Sequence, residues 1–489
     1  MSKLLAFDLG AESGRAIVGN FDGQHLTLEE LHRFANGPVA VFDRLYWDPL
    51  RLFAEMQQGL ARFAREHGGD LAAIGVDTWG VDYALLDADD ALLDNPRNYR
   101  DPRTDGMLEA ALALVPRAEI FQHTGVQFMK INTLYQVFSQ RESPLLQSAR
   151  TFLMMADLFN FYFTGNKVCE FSNATTTQFY DPRQSAWATA LLDQLGLPTH
   201  FLPEIVQPGT QVGTLLPTLA AESGLPQVPV IAPATHDTGS AVAAVPAETR
   251  DYAYISSGTW SLMGVELDEP LVSDQALQYN FTNEGGVGST YRFLKNIMGL
   301  WLVQECRRTW ASEGRDLSYG ELTALAQNAA PFAAFIEPDD ERFLTPGDMP
   351  ARIRAFCEET GQAVPRDEGQ VIRAVLESLA LKYRYVLNNI EAVLGRRLEV
   401  IHIVGGGIQN ELLCQFTASA AGRPVVAGPL EATAIGNLLL QLIGLGQLGS
   451  LADARQVVRR SFAPVAYEPD QTADWDAAYD RFCPLVPSA

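Results

Sequence analysis

Long apolar runs, paired cysteines, clustered histidines and a surplus of positive charge are all missing from this 489-residue chain. No uninterrupted apolar stretch reaches the roughly 18 residues of a membrane helix. The opening MSKLLAFDLG is broken by Asp8 before a secretory h-region forms. The five cysteines (Cys169, Cys306, Cys357, Cys414, Cys483) are widely separated and form no CxxC pair, which excludes a disulfide framework and a cysteine zinc site. The seven histidines never fall into HExxH spacing. With 59 acids against 36 bases and a net charge of −23, the chain would repel the phosphates of DNA or RNA. These absences lead to the expectation of a reduced cytoplasmic protein with no nucleic-acid or membrane partner. Its oligomeric state, monomer or small homo-oligomer, is not legible. Familiar nucleotide devices are missing as well. There is no GxxxxGK[ST] loop, and "VGGGIQN" (404–410) has Asn410 where a dinucleotide fingerprint needs a small residue. "YRDPRTDG" (99–106) follows the protein-kinase catalytic loop for three residues only, with Gly106 in place of the metal-binding Asn.

What is present is an α/β grammar. Hydrophobic content of 47% and charged content of 19% are those of a globular protein, and the length allows two to four domains. Residues 3–7, 15–21 and the stretch LTLEELHRF read as three strands of a meander. Asp48 then caps a helix that Pro49 opens and Gly68-Gly69 closes after His67. Residues 71–77 and 81–86 read as further strands. The pattern restarts at 252–266, where an apolar strand, a Gly-containing polar turn and a second apolar strand repeat the arrangement of 4–21. Strands at 399–404 and 424–427 alternate with helices over NELLCQFTASAAG and EATAIGNLLLQLIGLG. Two halves with the same opening predict a duplicated α/β unit facing itself across a cleft, with the boundary near Pro246-Ala247-Glu248. Polar turns rich in backbone N–H groups, one in each half, suit a polyphosphate. "AFDLGAESGR" (6–15) alone would equally make a plain hairpin tip.

The motifs decide between those readings. Asp8-Leu9-Gly10, Ser257-Gly258-Thr259 and Gly405-Gly406-Gly407 resemble the phosphate-1, phosphate-2 and adenosine motifs of the actin-like ATPase fold. Within that fold the chain resembles the FGGY carbohydrate kinases. The resemblance rests on "DLGAESGR" (8–15), "GVDTWGVDYALLD" (75–87), "YRDPRT" (99–104), "THDTGSAV" (235–242), "SSGTWSLMG" (256–264), "TNEGG" (282–286), "LKNIMGLWLVQE" (294–305) and "HIVGGGIQN" (402–410), eight stretches in order along nine-tenths of the chain. It implies an N-terminal domain over 1–247, a C-terminal domain over 248–445 and an extension over 446–489.

The resemblance also implies the chemistry: transfer of the ATP γ-phosphate, with Mg²⁺, to O1 of a ketose, L-rhamnulose being the expected one. L-fuculose and D-xylulose remain alternatives, as does a non-catalytic sensor on the same fold. ATP contacts are carried over to Ala11, Glu12, Ser13, Gly14, Arg15, Thr259, Gln304 and Gly406, and the neighbourhood of the metal to Asp8. Many family members carry hydroxyl residues where Ala11 and Glu12 stand, so side-chain contacts to phosphate fall instead to Ser13 and Arg15. The catalytic base is carried over to Asp237, and sugar contacts to Gly80, His236, Asp237, Thr238 and Asn296. Read from residues alone, the Asp237 stretch is equally a helix cap, with the helix starting near Gly239. Trp79 and Trp260 read as core aromatics. Asp77 and Asp82 stand open between a contact to sugar or metal and the capping of a strand.

Overall fold

A computed structural model describes residues 2–487. In chain order, the elements that position the site are the strands Ser2–Leu9 (β1), Ser13–Phe21 (β2) and Leu26–Ala35 (β3), the helix Pro49–His67 (α1), and the strands Ala73–Thr78 (β4), Thr210–Thr214 (β5) and Pro229–Ala232 (β6). The short helix Asp237–Ala243 (α2) comes next, before the strands Tyr252–Ser257 (β7), Trp260–Leu267 (β8) and Tyr291–Met298 (β9) and the helix Trp301–Ser312 (α3). They are followed by Val400–Val404 (β10), Glu411–Ala421 (α4), Val425–Ala427 (β11), Ala432–Gly444 (α5) and Val465–Tyr467 (β12).

Two compact units emerge, each from three pieces of chain: residues 1–246, 266–293 and 432–462 in the first, and 247–265, 294–431 and 463–489 in the second. The first crossover falls between Pro246 and Ala247. The returns at 266–293 and 432–462 are new, and they divide the expected extension over 446–489 between the units.

The first unit is built on a six-stranded sheet in the order β5-β6-β4-β1-β2-β3. β1 pairs antiparallel with β2 and parallel with β4, which sets Asp8 opposite both Arg15 and Asp77. Its central strands are buried almost end to end, as strands covered on both faces must be. α1 forms as its sequence dictates: the Asp48 carboxylate accepts from Arg51 N at 3.0 Å, Pro49 occupies the first turn, and Gly68 ends the helix at φ +73°. In the second unit the strands run β9-β8-β7-β10-β11-β12. β7 is antiparallel to β8 and parallel to β10, the same local pairing as β1 with β2 and β4. The duplicated strand–turn–strand is therefore a repeated sheet motif.

Two element boundaries depart from expectation. The strand read at 81–86 is Tyr83–Leu86, because Val81 takes φ +64°, which no strand accommodates. The helix expected near Gly239 begins at Asp237, since His236 O already accepts from Gly239 N at 2.7 Å and Ser240 N at 3.2 Å.

Candidate functional site

The first polar turn is a tight one. Gly10 N donates to Ser13 O at 2.9 Å, while Asn36 on the neighbouring chain segment donates through Nδ2 to Gly10 O at 2.7 Å and through its backbone N to Glu12 O at 3.0 Å. Glu12 is exposed, and Ala11 and Ser13 are partly so. Gly14 is buried, and any side chain there would run into the Phe34 ring. Behind the turn, Arg15 Nη2 donates to Asp8 Oδ2 at 2.6 Å. Asp77 lies beside Asp8 and is wholly buried. Loss of hydration and then the Asp8 charge push its carboxyl well above the ordinary range, against the pull of Asn437, whose Nδ2 donates to Asp77 Oδ2 at 2.6 Å. Asp77 Oδ1 has no hydrogen-bond partner.

At the mouth of the sheet, Thr78 N donates to Thr235 O at 2.9 Å, and Thr78 and His236 form a parallel bridge. The Thr235–Thr238 turn is fastened from below by a buried run that sequence reasoning passed over, Glu170 to Thr177. Glu170 accepts from Thr235 N at 2.9 Å and Thr235 Oγ1 at 2.8 Å, Ser172 Oγ accepts from His236 N at 3.0 Å, and Asn173 Nδ2 donates to Thr235 Oγ1 at 3.0 Å. Its only signal in the sequence was the density of polar residues in "CEFSNATTTQ", which are buried in the fold.

On this platform Asp237 turns Oδ1 toward Thr238, accepting from its N at 2.5 Å and its Oγ1 at 3.2 Å, with His236 Nε2 at 3.4 Å. Among the described residues no donor reaches Oδ2. The side chain keeps 32% of its surface exposed. Burial of its surroundings raises the pKa, His236 opposes the rise, and the Asp8 charge adds to it. A carboxylate with one oxygen held, the other open and its basicity raised is equipped to take a proton.

Gly80 faces this group. A Cβ there would come within 3.3 Å of the His236 ring and 3.2 Å of Thr176. The next residue, Val81, is held in its left-handed conformation by Thr176 Oγ1, which accepts from its N at 3.2 Å, and by Thr133 Oγ1, which donates to its O at 2.6 Å. A β-branched residue at positive φ costs on the order of 1–3 kcal/mol, and such strain concentrates at working sites.

Asp82 has a different task. Its Oδ2 accepts from Trp47 Nε1 at 2.6 Å, Trp79 Nε1 at 3.0 Å and Tyr99 N at 3.2 Å, and its Oδ1 accepts from Gln136 Nε2 at 2.9 Å. Trp79 is 5% exposed and packs on Trp47 with ring centroids 4.1 Å apart. Asp82 is therefore the node that holds the loop behind Gly80, with no oxygen left for a ligand. Burial pushes its pKa up to about 6, above the roughly 3.9 of an unfolded aspartate. Between those values the fold keeps a proton that the unfolded chain has lost, so this contribution to stability is present at low pH and lost as pH rises through 6. Asp82→Asn abolishes that pH dependence and sets an amide N–H against at least one buried donor. The expected loss at pH 7 is about 1–3 kcal/mol, read by urea unfolding at pH 5 and pH 7. Equal urea midpoints for variant and parent at both pH values would contradict the assignment.

In the second unit the turn between β7 and β8 carries Thr259. Its O accepts from Gly299 N at 3.2 Å and Trp301 N at 3.1 Å, and Gly258 O accepts from Leu300 N at 3.0 Å, so the turn and the start of α3 are one rigid piece. One turn into α3, Gln304 buries Oε1 without a hydrogen-bond partner. Gly405 sits at φ +88°, Gly407 packs so closely on Ser257 that a side chain would displace it, and Gly406 between them is exposed. Thr259 and Gly406 are thus parts of adjoining loops. Asn296 stands on β9 in the same unit and is partly buried. Each unit accordingly gathers its own share of the expected residues: Asp8, Ala11–Arg15, Gly80 and His236–Thr238 in the first, Thr259, Asn296, Gln304 and Gly406 in the second.

Residues 3–244 match the N-terminal domain of the FGGY family of carbohydrate kinases, and residues 253–445 match its C-terminal domain. The chain is similar to a protein of Bacteroides thetaiotaomicron named rhamnulokinase, 46% identical over 479 residues (98% of each chain). It is also similar to one of that name from Pectobacterium atrosepticum, 43% identical over 487 residues (99% of this chain and 96% of the relative). Among solved structures, the fold is similar to a xylulose kinase from Lactobacillus acidophilus, with a TM-score of 0.81 at 17% identity over 99% of this chain and 98% of that one. A Plasmodium falciparum glycerol kinase with ADP gives 0.76 at 15% over 100% and 99%. With both family domains matched in order and near-complete overlap with relatives above 40% identity, the chain belongs to the FGGY family of carbohydrate kinases, ATP-using enzymes of the actin-like fold.

Proposed function

We propose that this kinase phosphorylates L-rhamnulose at O1, giving L-rhamnulose 1-phosphate and ADP, as a step of L-rhamnose breakdown. The observation that carries the chemistry is Asp237, with Oδ1 fixed by Thr238 and Oδ2 open. The sugar preference rests on the two relatives named rhamnulokinase. In the reaction a sugar oxygen forms a bond to the γ-phosphorus while the bond to the β,γ-bridging oxygen breaks. The hydroxyl proton passes to Asp237 Oδ2, and ADP leaves with the bridging electron pair. Because the transition state is loose and the hydroxyl ionises late, orientation matters more than basicity. His236, Thr238, Gly80 and Asn296 hold the sugar in this reading. The turn from Ala11 to Arg15 takes the phosphates, and Thr259, Gln304 and Gly406 take the nucleotide, Gln304 Oε1 being a buried acceptor still in need of a donor.

Mg²⁺ fits the first unit as a hydrated ion. Asp8 and the unpaired Asp77 Oδ1 supply hard oxygen donors, and among the described residues no three His, Cys, Asp or Glu side chains form a complete metal cage. Mg²⁺ ordinarily takes one or two carboxylates and completes its shell with water and phosphate. When bound, it neutralises charge on the transferring phosphoryl group. Asp8 and Asp77 would hold it, with Arg15 aiming the Asp8 carboxylate through its 2.6 Å contact.

The test is ADP release over a panel of ketoses. L-rhamnulose is expected to exceed L-fuculose and D-xylulose by about tenfold or more in kcat/KM, because a misplaced hydroxyl leaves buried polar groups unpaired. Chelation by EDTA is expected to abolish turnover and added Mg²⁺ to restore it. Preference for D-xylulose would overturn the substrate, and turnover in excess chelator would overturn the metal.

A further inference from the structure

Behind His236, on the side away from Asp237, lies a charged pair whose members belong to the segment that returns to the first unit at 266–293. Arg292 is fully buried, and its Nε donates to Gly285 O at 2.9 Å. Gly285 N in turn donates to Thr175 Oγ1 at 2.7 Å, so the guanidinium is held by the same run that fastens the Thr235–Thr238 turn. Arg292 Nη2 directs a hydrogen at His236 Nδ1 from 3.2 Å. Glu284 Oε2 stands 3.2 Å from the same Nδ1 and 3.1 Å from Arg292 Nη2. Two groups with opposite demands thus meet at one ring nitrogen.

We propose that Arg292 is a positioning residue that fixes the tautomer of His236, making Nε2–H a constant donor beside Asp237. A guanidinium only donates, and it stays charged at any pH the fold survives. The nitrogen it faces must accept, so the ring proton resides on Nε2. Glu284 would reverse this if it stood alone, by drawing the proton to Nδ1. Its charge is already met by Arg292, which occupies the position facing the ring. Nε2 lies 3.4 Å from Asp237 Oδ1, on the side that the missing Gly80 side chain leaves open. With a proton there, His236 holds Oδ1, joins Thr238 in keeping the carboxylate anionic, and leaves Oδ2 for the hydroxyl. With a lone pair there, ring and carboxylate would repel, and the base would swing away from Thr238. The catalytic consequence rests on the sugar-kinase reading above; the tautomer does not.

The experiment is nitrogen NMR on the full chain labelled with ¹⁵N-histidine, the His236 signals being identified by their loss in His236→Asn. At neutral pH the parent is expected to show a bare Nδ1 and a protonated Nε2. Arg292→Met keeps the apolar stem and removes the donor; its ring proton is expected to move to Nδ1, toward Glu284. With it the KM for the sugar is expected to rise roughly tenfold while the KM for ATP stays within about twofold, and Arg292→Lys is expected to recover most of the loss. A parent protein with its proton on Nδ1 overturns the proposal, whether or not Arg292→Met folds. So does an Arg292→Met protein that keeps Nε2–H. A parent with Nε2–H that phosphorylates no sugar would sink the kinase reading and leave the tautomer assignment standing.

Discussion

Asp237→Asn is expected to lower kcat by about 10²–10⁴, the range for loss of a general base, with melting temperature and KM for the sugar little changed. Asparagine is nearly the same size, and its carbonyl oxygen can still accept from Thr238 N and Oγ1, the contacts that orient the native side chain. The first turn of α2 therefore keeps its geometry. What is lost is the anionic Oδ2 that receives the proton, replaced by an amide that cannot. The pH profile supplies a second criterion. Burial raises the Asp237 pKa, so the native rate is expected to fall on the acid side as the carboxylate takes up a proton, and that limb should disappear in the variant. Turnover within tenfold of the parent would remove Asp237 from the role of base and leave its neighbours as binders only.

Gly436→Ala is expected to be the most damaging single-methyl change in the first unit. Gly436 lies in α5 where it crosses α2, and a Cβ there would run into the carbonyl of Ser240, with Ser240 Cα only 3.0 Å away. The obstacle is backbone, which cannot rotate aside as a side chain can. The two helices must separate, or α2 must slide. Overpacking of this kind costs about 1–3 kcal/mol, occasionally more, which for a unit of this size lowers the melting temperature by roughly 2–5 °C. A second effect follows from position. Ser240 is one turn beyond Asp237, so the displacement reaches the base, and a shift of 1 Å in a reacting group can cost about 10²-fold in rate. Calorimetry and turnover measured well below the melting temperature separate the two effects. A variant that melts and turns over like the parent would show that the helix crossing yields freely.

The sequence made turns legible and left their supports hidden. Gly, Asp, Ser and Thr between apolar runs mark where a backbone must bend, and so Asp8–Arg15, Thr235–Thr238, Ser257–Thr259 and Gly405–Gly407 all stand out. The repeated strand–turn–strand at 4–21 and 252–266 was visible for the same reason, since alternation and turn residues are local properties. The residues that hold those turns are not local. Glu170, Ser172 and Asn173 lie over sixty positions from the turn they fasten, in a stretch without periodicity. Asn36 pins the first turn from just beyond the end of β3. Glu284 and Arg292 read as an unremarkable acid and base until the fold places them behind His236. Asp77 and Asp82 could not be told apart on the page, both being acids beside an apolar strand. Their partners separate them: four donors for Asp82, one amide and a neighbouring carboxylate for Asp77. Domain organisation failed at the crossovers, because a chain that leaves one unit and later returns changes neither composition nor pattern on the way.

That return has a consequence for how the protein is made. α5 supplies Asn437 to Asp77, and Gln441 Nε2 donates to Leu5 O at 3.1 Å, so a helix from the last piece of the first unit caps its first strand. On the ribosome the second pair is separated by 436 residues of chain. At about 5–20 residues per second, the stretch between Pro246 and Ala432 takes on the order of ten to forty seconds to synthesise. Throughout that interval the flank of β1, β4 and α2 that α5 will cover remains apolar and bare on the nascent chain. A ribosome stalled short of codon 432 therefore presents a chaperone substrate, and truncations that remove 432–462 should be recovered from cells with holding chaperones attached rather than as a free first domain.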